Sequence, residues 1–355
     1  ALLGVPVTEV DVATSLSPEA VMERAAAAGF SVHPTGLEHG TVTVARDGAA
    51  FEVTTLRHDV ETDGRRAKVA FTDDWQADAR RRDFTMNALY CSATGEVFDP
   101  VSGMDDLLSR RVRFVGEAGA RIAEDYLRIL RFFRFHAQYG QGGLDEAGLA
   151  ACGELKAGLR QLSAERVRQE LMKLLVAPGS VAAVEAMRGQ GILEMILPGA
   201  DVAVFARMAG IDSAEGFKPD AVLRLAALAP QMAAKEALRL SNAEGARLEA
   251  LACAPALSPA MDDIALRRAR YVLGDLYEDA VRLVWARSDM AGWRAVYALV
   301  AEPTPVFPLK GADLLARGLK PGPDVGRMLR SLEEAWIVSD FSASKEALLE
   351  RVQNG

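Results

Sequence analysis

The stretch "GTVTVARDGAAFEVTTLR", residues 40–57, alternates apolar and polar side chains on both sides of an Asp47-Gly48 pair. Period-two alternation is typical of a strand with one buried face, and Asp-Gly between two such runs is a strong hairpin signal. Upstream, residues 17–30 predict a helix that starts with Ser17 as its N-cap and ends at Gly29. The first hundred residues therefore predict strands with a few short helices.

The character of the sequence changes at about residue 104, where it becomes rich in Ala, Leu and Arg at helical spacing. The segment "LSAERVRQELMKLLV", residues 162–176, is an example, and it predicts a helix that opens on Ser163. The fold class expected is α+β, with a small mixed α/β head followed by an all-α region.

Composition sets broad limits on function. The chain has 355 residues, half of them apolar and 25% charged, which is enough for more than one domain. Its three cysteines are far apart and form no CxxC pair, so neither a disulfide framework nor a zinc site is expected. Without a signal peptide or a membrane-spanning apolar run, we expect a cytoplasmic protein with no membrane partner.

Charge is unevenly distributed along this chain of net charge −8. Residues 107–136 contain seven arginines against Glu117, Glu124 and Asp125. A local basic stripe on an acidic protein is compatible with a nucleic acid bound at one place. A solvated helix face is the alternative explanation.

Carboxylates occur two residues apart in "TEVDVAT", residues 8–14. On a strand, Glu9 and Asp11 would point to the same side, and Glu52 could add a third carboxylate from a neighbouring strand. Like charges held together favour a cation between them, so these residues form a candidate Mg²⁺ site. The alternative is a strand end that faces solvent.

Arginines cluster in "ARRRDFTMNALY", residues 79–90. The guanidinium groups of Arg81 and Arg82 match the oxygen geometry of a triphosphate. Asp83 could hold one arginine in place, and Asn87 could donate to a phosphate or a ribose. The alternative is a charged entrance to a buried helix.

The segment "RIAEDYLRILRFFRFHA", residues 121–137, predicts one helix on which Asp125 and Arg128 share a face. A carboxylate and a guanidinium together match the Watson–Crick edges of cytosine and adenine. Uracil and guanine present donors and acceptors in the opposite order, so the pair would reject them. An exposed ion pair is the alternative.

The polar segment "DVETDGRRAKVAF", residues 59–71, surrounds an Asp63-Gly64 pair. It predicts either a mobile loop or an ordinary hairpin turn.

Taken in order, these motifs resemble the class II tRNA nucleotidyltransferases, which include the bacterial-type CCA-adding enzymes and the bacterial poly(A) polymerases. The resemblance is close over residues 1–137, where RRDFT-x-NAL and ED-x-LR-x-LR-x-x-RF are the most specific pieces. It implies a polymerase-β-like head and an elongated all-α neck, body and tail. The domains expected are 1–110, 111–178, 179–258 and 259–355.

The resemblance also implies roles for individual residues. Glu9 and Asp11 match the metal-binding pair, with Glu52 on the accompanying strand. The residues implied for nucleotide binding are Arg81, Arg82, Asp83, Asn87, Glu124, Asp125, Arg128 and Arg131. The residues that match a flexible loop used for the final A are Asp63, Gly64, Arg65 and Arg66.

The activity implied is Mg²⁺-dependent addition of CCA to tRNA from CTP and ATP, with tRNA rather than DNA as partner. The final-A loop argues against a CC-only enzyme. A poly(A) polymerase, an A-adding enzyme and a non-catalytic tRNA-binding relic remain the alternatives.

Two positions depart from the family pattern. Glu9 stands where the family has Asp, and its extra methylene shifts the carboxylate by about one C–C bond. The family also has a Gly-Gly-x-Val-Arg turn just before the segment that matches "ALLG", residues 1–4. We therefore expect a head that is truncated at its N-terminus.

Overall fold

Four strands form the mixed sheet that the first part of the sequence predicts. The computed structural model describes residues 2–4, 10–63, 66–229 and 231–352, without the side chains of 59–69 and 231–233. The strands of this sheet are Asp11–Thr14 (β1), Ser31–Gly36 (β2), Thr41–Arg46 (β3) and Ala49–Thr55 (β4). They follow the order β1-β4-β3-β2, in which β1 runs parallel to β4 and the other pairs are antiparallel.

The predicted hairpin over 40–57 is confirmed. Strands β3 and β4 pair from Thr41 opposite Thr54 to Arg46 opposite Ala49. Asp47 and Gly48 have φ of 53° and 81°, both in the left-handed region that a two-residue turn matched to the strand twist requires.

The predicted helix near residue 17 is also confirmed, as α1, Pro18–Ala27. The Ser17 hydroxyl accepts a hydrogen bond from the Ala20 amide at 3.3 Å, as an N-cap does. Val21 of this helix packs against Val42 and Val44 of β3, so the helix covers one face of the sheet.

Shorter elements complete the head. These elements are β5, Arg57–Asp63; β6, Arg66–Phe71; α2, Trp75–Arg80; β7, Tyr90–Cys91; β8, Val97–Phe98; and the 3₁₀ helices Leu37–His39 and Thr85–Asn87. Two further antiparallel pairs of strands, β5 with β6 and β7 with β8, each form a two-stranded sheet.

Within the described ranges, every regular element from Met104 onward is helical, as the change in sequence pattern predicts. The α-helices are α3, Met104–Leu108; α4, Ala118–Glu124; α5, Leu127–Tyr139; α6, Glu146–Leu155; α7, Ala164–Leu175; α8, Ser180–Gly189; α9, Ile192–Ile196; α10, Val202–Glu215; α11, Ala221–Leu228; α12, Gln231–Leu238; α13, Asn242–Ala252; α14, Asp263–Leu273; α15, Tyr277–Arg287; α16, Trp293–Ala298; α17, Gly311–Ala316; α18, Pro323–Val338; and α19, Lys345–Arg351. The 3₁₀ helices in this part are Lys156–Gln161, Gly274–Leu276 and Leu299–Ala301. The predicted helix over 162–176 is therefore confirmed as α7, with Ser163 at its N-cap, and so is the α+β fold class.

A cluster of phenylalanines joins the arginine-rich segment to the helices that follow it. The ring of Phe84 lies 5.0 Å from that of Phe114 and 4.9 Å from that of Phe135, between ring centroids. Phe114 in turn stacks on Phe132 of α5 at 5.4 Å. Because Phe84 and Phe132 are fully buried, this cluster fixes the segment 79–90 against α5.

The chain divides into two compact units. The first comprises Ala1–Val202 with Ala233–Leu240, and the second comprises Ala203–Met232 with Ser241–Gly355. The predicted domain boundaries near residues 110, 178 and 258 stay predictions. Among the helices described, none has the length and apolar character needed to cross a bilayer.

Candidate active site

Two carboxylates lie side by side on the sheet. In the parallel pair of β1 and β4, Asp11 is directly opposite Glu52. Both side chains line an open cleft of about 350 Å³. The prediction that Glu52 comes from a neighbouring strand is therefore confirmed, whereas Glu9 lies outside the described residues.

Arginines line the same cleft. Arg81 and Arg82, which follow α2, face it together with Asn87 and Tyr90. The Asn87 side-chain oxygen accepts a hydrogen bond from the Phe84 amide at 3.1 Å. The side-chain nitrogen of Asn87 takes no part in this bond.

Asp78, which sequence reasoning missed, orients both arginines. Its carboxylate is 1% exposed and accepts from Nε of Arg81 at 2.9 Å and from Nη2 of Arg82 at 3.0 Å. It also accepts from the Tyr90 hydroxyl at 2.5 Å. The signal in the sequence was the spacing, since an aspartate three and four residues before two arginines meets both on one helical turn.

The electrostatics of Asp78 favour its charged form. Burial acts to raise the pKa of this carboxyl, but the hydrogen bond from Tyr90 and the charges of Arg81 and Arg82 outweigh it and lower the pKa. Burial and the hydrogen bond to Asp78 raise the pKa of the Tyr90 hydroxyl. At neutral pH the buried Asp78 is therefore a carboxylate, and it holds the two guanidinium groups that line the cleft.

A second ion-pair network lies behind the arginines. Asp83 accepts from Nε of Arg128 at 2.8 Å and from Nε of Arg131 at 2.5 Å, and Arg128 also pairs with Glu124. Burial acts to raise the pKa of Asp83, but Arg131 and Arg128 lower it overall. Asp83 therefore does hold arginines, but they belong to α5 rather than to its own segment.

Arg121 connects this network to the cleft. Its Nη1 donates to Glu124 at 2.6 Å, and its Nη2 donates to the main-chain oxygens of Arg81 and Arg82. Four of the predicted nucleotide-binding residues, Asp83, Glu124, Arg128 and Arg131, are thus brought together and tied to the backbone of the arginines in the cleft.

The predicted single helix over 121–137 is wrong. Helix α4 ends at Glu124, Asp125 adopts extended backbone with φ of −156°, and α5 begins at Leu127. The Asp125 carboxylate accepts a hydrogen bond from the Leu127 amide at 3.1 Å, a local bond that competes with continuation of the helix.

Because of this break, Asp125 and Arg128 do not share one helical face. The Asp125 carboxylate pairs with Arg166 of α7 at 2.7 Å, while Arg128 pairs with Asp83 and Glu124. Their joint reading of a base stays a prediction.

The strands that flank Gly64 and Arg65 pair antiparallel, which agrees with the hairpin among the two alternatives that the sequence allowed. Asp63 at the end of β5 lies opposite Arg66 at the start of β6. Gly64 and Arg65 lie outside the described residues, as do the side chains of Asp63 and Arg66. The role of this segment as a loop for the final A stays a prediction.

Two protein families match parts of the chain. Residues 1–113 match the family described as the poly A polymerase head domain. Residues 143–204 match the family described as the probable RNA- and SrmB-binding site of polymerase A.

Named relatives extend the similarity over almost the whole chain. It is 33% identical to the mitochondrial CCA tRNA nucleotidyltransferase 1 of Mus musculus and of Homo sapiens, over 99% of this chain and 84% of either relative. It is 42% identical to the CCA-adding enzyme of Oceanobacillus iheyensis, over 49% of this chain and 42% of that protein.

A solved structure agrees with these relatives. The CCA-adding enzyme of Bacillus stearothermophilus, solved in complex with CTP, superimposes with a TM-score of 0.72 at 26% identity, over 99% of this chain and 91% of that one. Similarity at this level along the full chain shows the family: the protein belongs to the CCA tRNA nucleotidyltransferases.

Proposed function

We propose that this chain adds CCA to the 3′ end of tRNA, without a nucleic-acid template, from CTP and ATP. The observation that carries the proposal is one cleft in which the paired carboxylates of Asp11 and Glu52 face the oriented arginines Arg81 and Arg82. This arrangement suits transfer of a nucleotide from a triphosphate, and it occurs in a chain whose relatives are named CCA tRNA nucleotidyltransferases.

The donor set of the cleft fits Mg²⁺. The Asp11 and Glu52 side chains lie on directly paired residues, and within the described part of the chain neither carboxylate has a hydrogen bond or an ion pair. Two adjacent carboxylates that make no ion pair among the described residues favour a hard divalent cation. The described residues form no group of three or more possible ligands, and Glu9, which lies outside them, is the third ligand we propose. When bound, Mg²⁺ would lower the pKa of the attacking hydroxyl and neutralise the developing charge on the leaving pyrophosphate.

The residues of the chain would divide the remaining work. Arg81 and Arg82 bind the triphosphate as guanidinium forks that Asp78 holds in place, and Asn87 donates to a phosphate or to the ribose. Asp83, Glu124, Arg128 and Arg131 fix the position of that segment, and Asp125 with Arg128 select the base. Asp63, Gly64, Arg65 and Arg66 would assist addition of the final A.

The partner proposed is the acceptor arm and 3′ end of tRNA. The arginines of 107–136 and the match of 143–204 to an RNA-binding family support it.

We also propose a cytoplasmic location. Cell fractionation tests it, and recovery in an organelle, as the names of the mitochondrial relatives would suggest, would refute it.

The test of this function is nucleotide addition to defined tRNA ends. Transcripts that end before CCA, after C and after CC are incubated with the protein, Mg²⁺ and each labelled nucleotide singly. Because the family has a glycine turn before the segment that matches residue 1, the assay is run with and without a Gly-Gly-x-Val-Arg segment upstream.

Addition of C, C and then A, with no use of U or G, is the expected result. An Asp11→Asn variant should lose addition and still bind tRNA, and Asp47→Asn in the exposed β3–β4 turn serves as its matched control. Long A tails would reassign the protein as a poly(A) polymerase, and A added only to the CC end would reassign it as an A-adding enzyme. If the protein binds tRNA but adds no nucleotide, with or without the upstream segment, it is a tRNA-binding protein and the proposal is refuted.

A further inference from the structure

A second cavity, of about 460 Å³, lies in the first unit of the chain. Its lining residues differ from those of the cleft of Asp11 and Glu52. Helix α2 contributes Gln76 and Arg80 to its wall. Arg113 and Arg121 add positive charge to its lining, which among the described residues contains no carboxylate. A cavity lined by three arginines and no acidic residue attracts an anion.

Two of the arginines have donors to spare. Arg80 is exposed, and within the described ranges its side chain makes no hydrogen bond and no ion pair. Arg113 donates through Nε to Asp106 at 2.8 Å, which leaves its two terminal nitrogens for a ligand. The guanidinium group of Arg121, in contrast, is bonded to Glu124 and to main-chain oxygens.

The carboxylate of Asp106 holds the Arg113 side chain at the wall of this cavity. The Asp106 carboxylate is 3% exposed and accepts from the Thr85 hydroxyl at 2.6 Å and from Nε of Arg111 at 2.9 Å, besides Arg113. A guanidinium group held through Nε presents its outer edge in a fixed direction, and this is the edge that fits two phosphate oxygens. The arrangement is thus preorganised for a phosphate group.

We propose that this cavity binds a backbone phosphate of the tRNA, with Arg80 and Arg113 as its ligands; the proposal rests on the proposed function in taking tRNA as the substrate. Arg80 and Arg81 are adjacent, with Cα atoms about 3.8 Å apart, yet they line different cavities. A strand whose 3′ end occupies the cleft of Asp11 and Glu52 can therefore place a neighbouring phosphate on Arg80. The triphosphate itself is already assigned to Arg81 and Arg82, which line the same cleft as the carboxylates.

The main readout is tRNA binding without any nucleotide, and this readout does not depend on catalysis. The dissociation constant for a transcript that ends before CCA is measured over a series of KCl concentrations, for the unmodified protein and for Arg80→Gln and Arg80→Lys variants. Arg24→Gln is the matched control, because Arg24 is also exposed and its side chain makes no hydrogen bond or ion pair among the described residues. Inorganic phosphate and pyrophosphate are tested as competitors, and KM is measured for CTP.

We expect the Arg80→Gln variant to bind tRNA about tenfold more weakly at low salt. The slope of log Kd against log [KCl] should fall by about 0.7–0.9, the change for one lost phosphate contact. The Arg80→Lys variant should recover the slope, the Arg24→Gln variant should match the unmodified protein, and KM for CTP should stay unchanged.

Three results would overturn the proposal. Unchanged tRNA binding by the Arg80→Gln variant would remove Arg80 as a ligand. A higher KM for CTP with unchanged tRNA binding would assign the cavity to the triphosphate. If the Arg80→Gln variant loses only the competition by inorganic phosphate or pyrophosphate, the cavity is a site for a free anion. If nucleotide addition fails, the proposed function is refuted, but the measurement of tRNA binding can still be interpreted.

Discussion

Replacing Asp78 with asparagine keeps the shape of the side chain and removes the charge that holds Arg81 and Arg82. Breaking a buried ion pair by removing one partner costs about 3–5 kcal/mol. The Arg81 side chain is 16% exposed and that of Arg82 is 35% exposed, so water compensates part of the loss. We therefore expect the lower end of that range, about 3 kcal/mol in the free energy of unfolding.

The pH dependence of this loss has a definite sign. The pKa of Asp78 is lowered in the folded protein, so its stabilising contribution is complete above the pKa of the unfolded state, about 3.9. It is lost as pH falls through the lower, folded pKa. The difference in stability between the unmodified protein and the Asp78→Asn variant should be constant from neutral pH to about pH 5 and should narrow below about pH 4.

Urea unfolding at several pH values measures the stability, and nucleotide-addition kinetics measure the function. KM for CTP and for ATP should rise about tenfold or more, because the two arginines lose their fixed direction. Asp73→Asn is the matched control, since Asp73 is exposed, and its side chain makes no hydrogen bond or ion pair among the described residues. A loss of under about 1 kcal/mol with unchanged KM values would refute the view that Asp78 orients the site.

Three further outcomes are expected. A Glu52→Gln variant should add nucleotides at least about a hundredfold more slowly and bind tRNA normally, as single-turnover and binding assays would measure. An Asp212→Asn variant should lose about 3–5 kcal/mol in urea unfolding, because this buried carboxylate accepts from Arg224 at 2.9 Å and from Arg282 at 2.6 Å. An Asp125→Ala variant should incorporate U and G in the single-nucleotide assay, and unchanged selectivity would refute its role in reading the base.

Local signals in the sequence predict local structure well. The hairpin over 40–57 and the helix that starts at Ser17 depend on turn and cap residues adjacent to the elements they bound, so the sequence contains all the necessary information. The change to helices near residue 104 depends on apolar spacing, which is also local.

The same reasoning fails at Asp125 for a physical reason. Helical spacing treats Asp125 as one more residue on a continuous face, but its side chain bonds the Leu127 amide and ends the first helix. Its main ion pair is with Arg166, which lies 41 residues later in the sequence. A contact at that distance along the chain depends on how α5 and α7 pack, and periodicity does not contain this information.

The consecutive residues Arg80, Arg81, Arg82 and Asp83 show how one short run serves three surroundings. Arg81 and Arg82 line the cleft, and Arg80 lines the second cavity. Asp83 pairs with Arg128 and Arg131. The sequence predicts that Arg81 and Arg82 bind a triphosphate, but it does not distinguish these three surroundings.

Buried or largely buried carboxylates orient most of the arginines in this part of the chain. Asp78 fixes two arginines at the cleft, Asp106 fixes two more beside the second cavity, and Asp83 fixes two on α5. An isolated arginine in a surface segment samples many rotamers and loses that freedom when it binds a ligand. In this protein the carboxylates impose that order when the chain folds, so an arginine that they hold presents its remaining donors to a ligand in one direction.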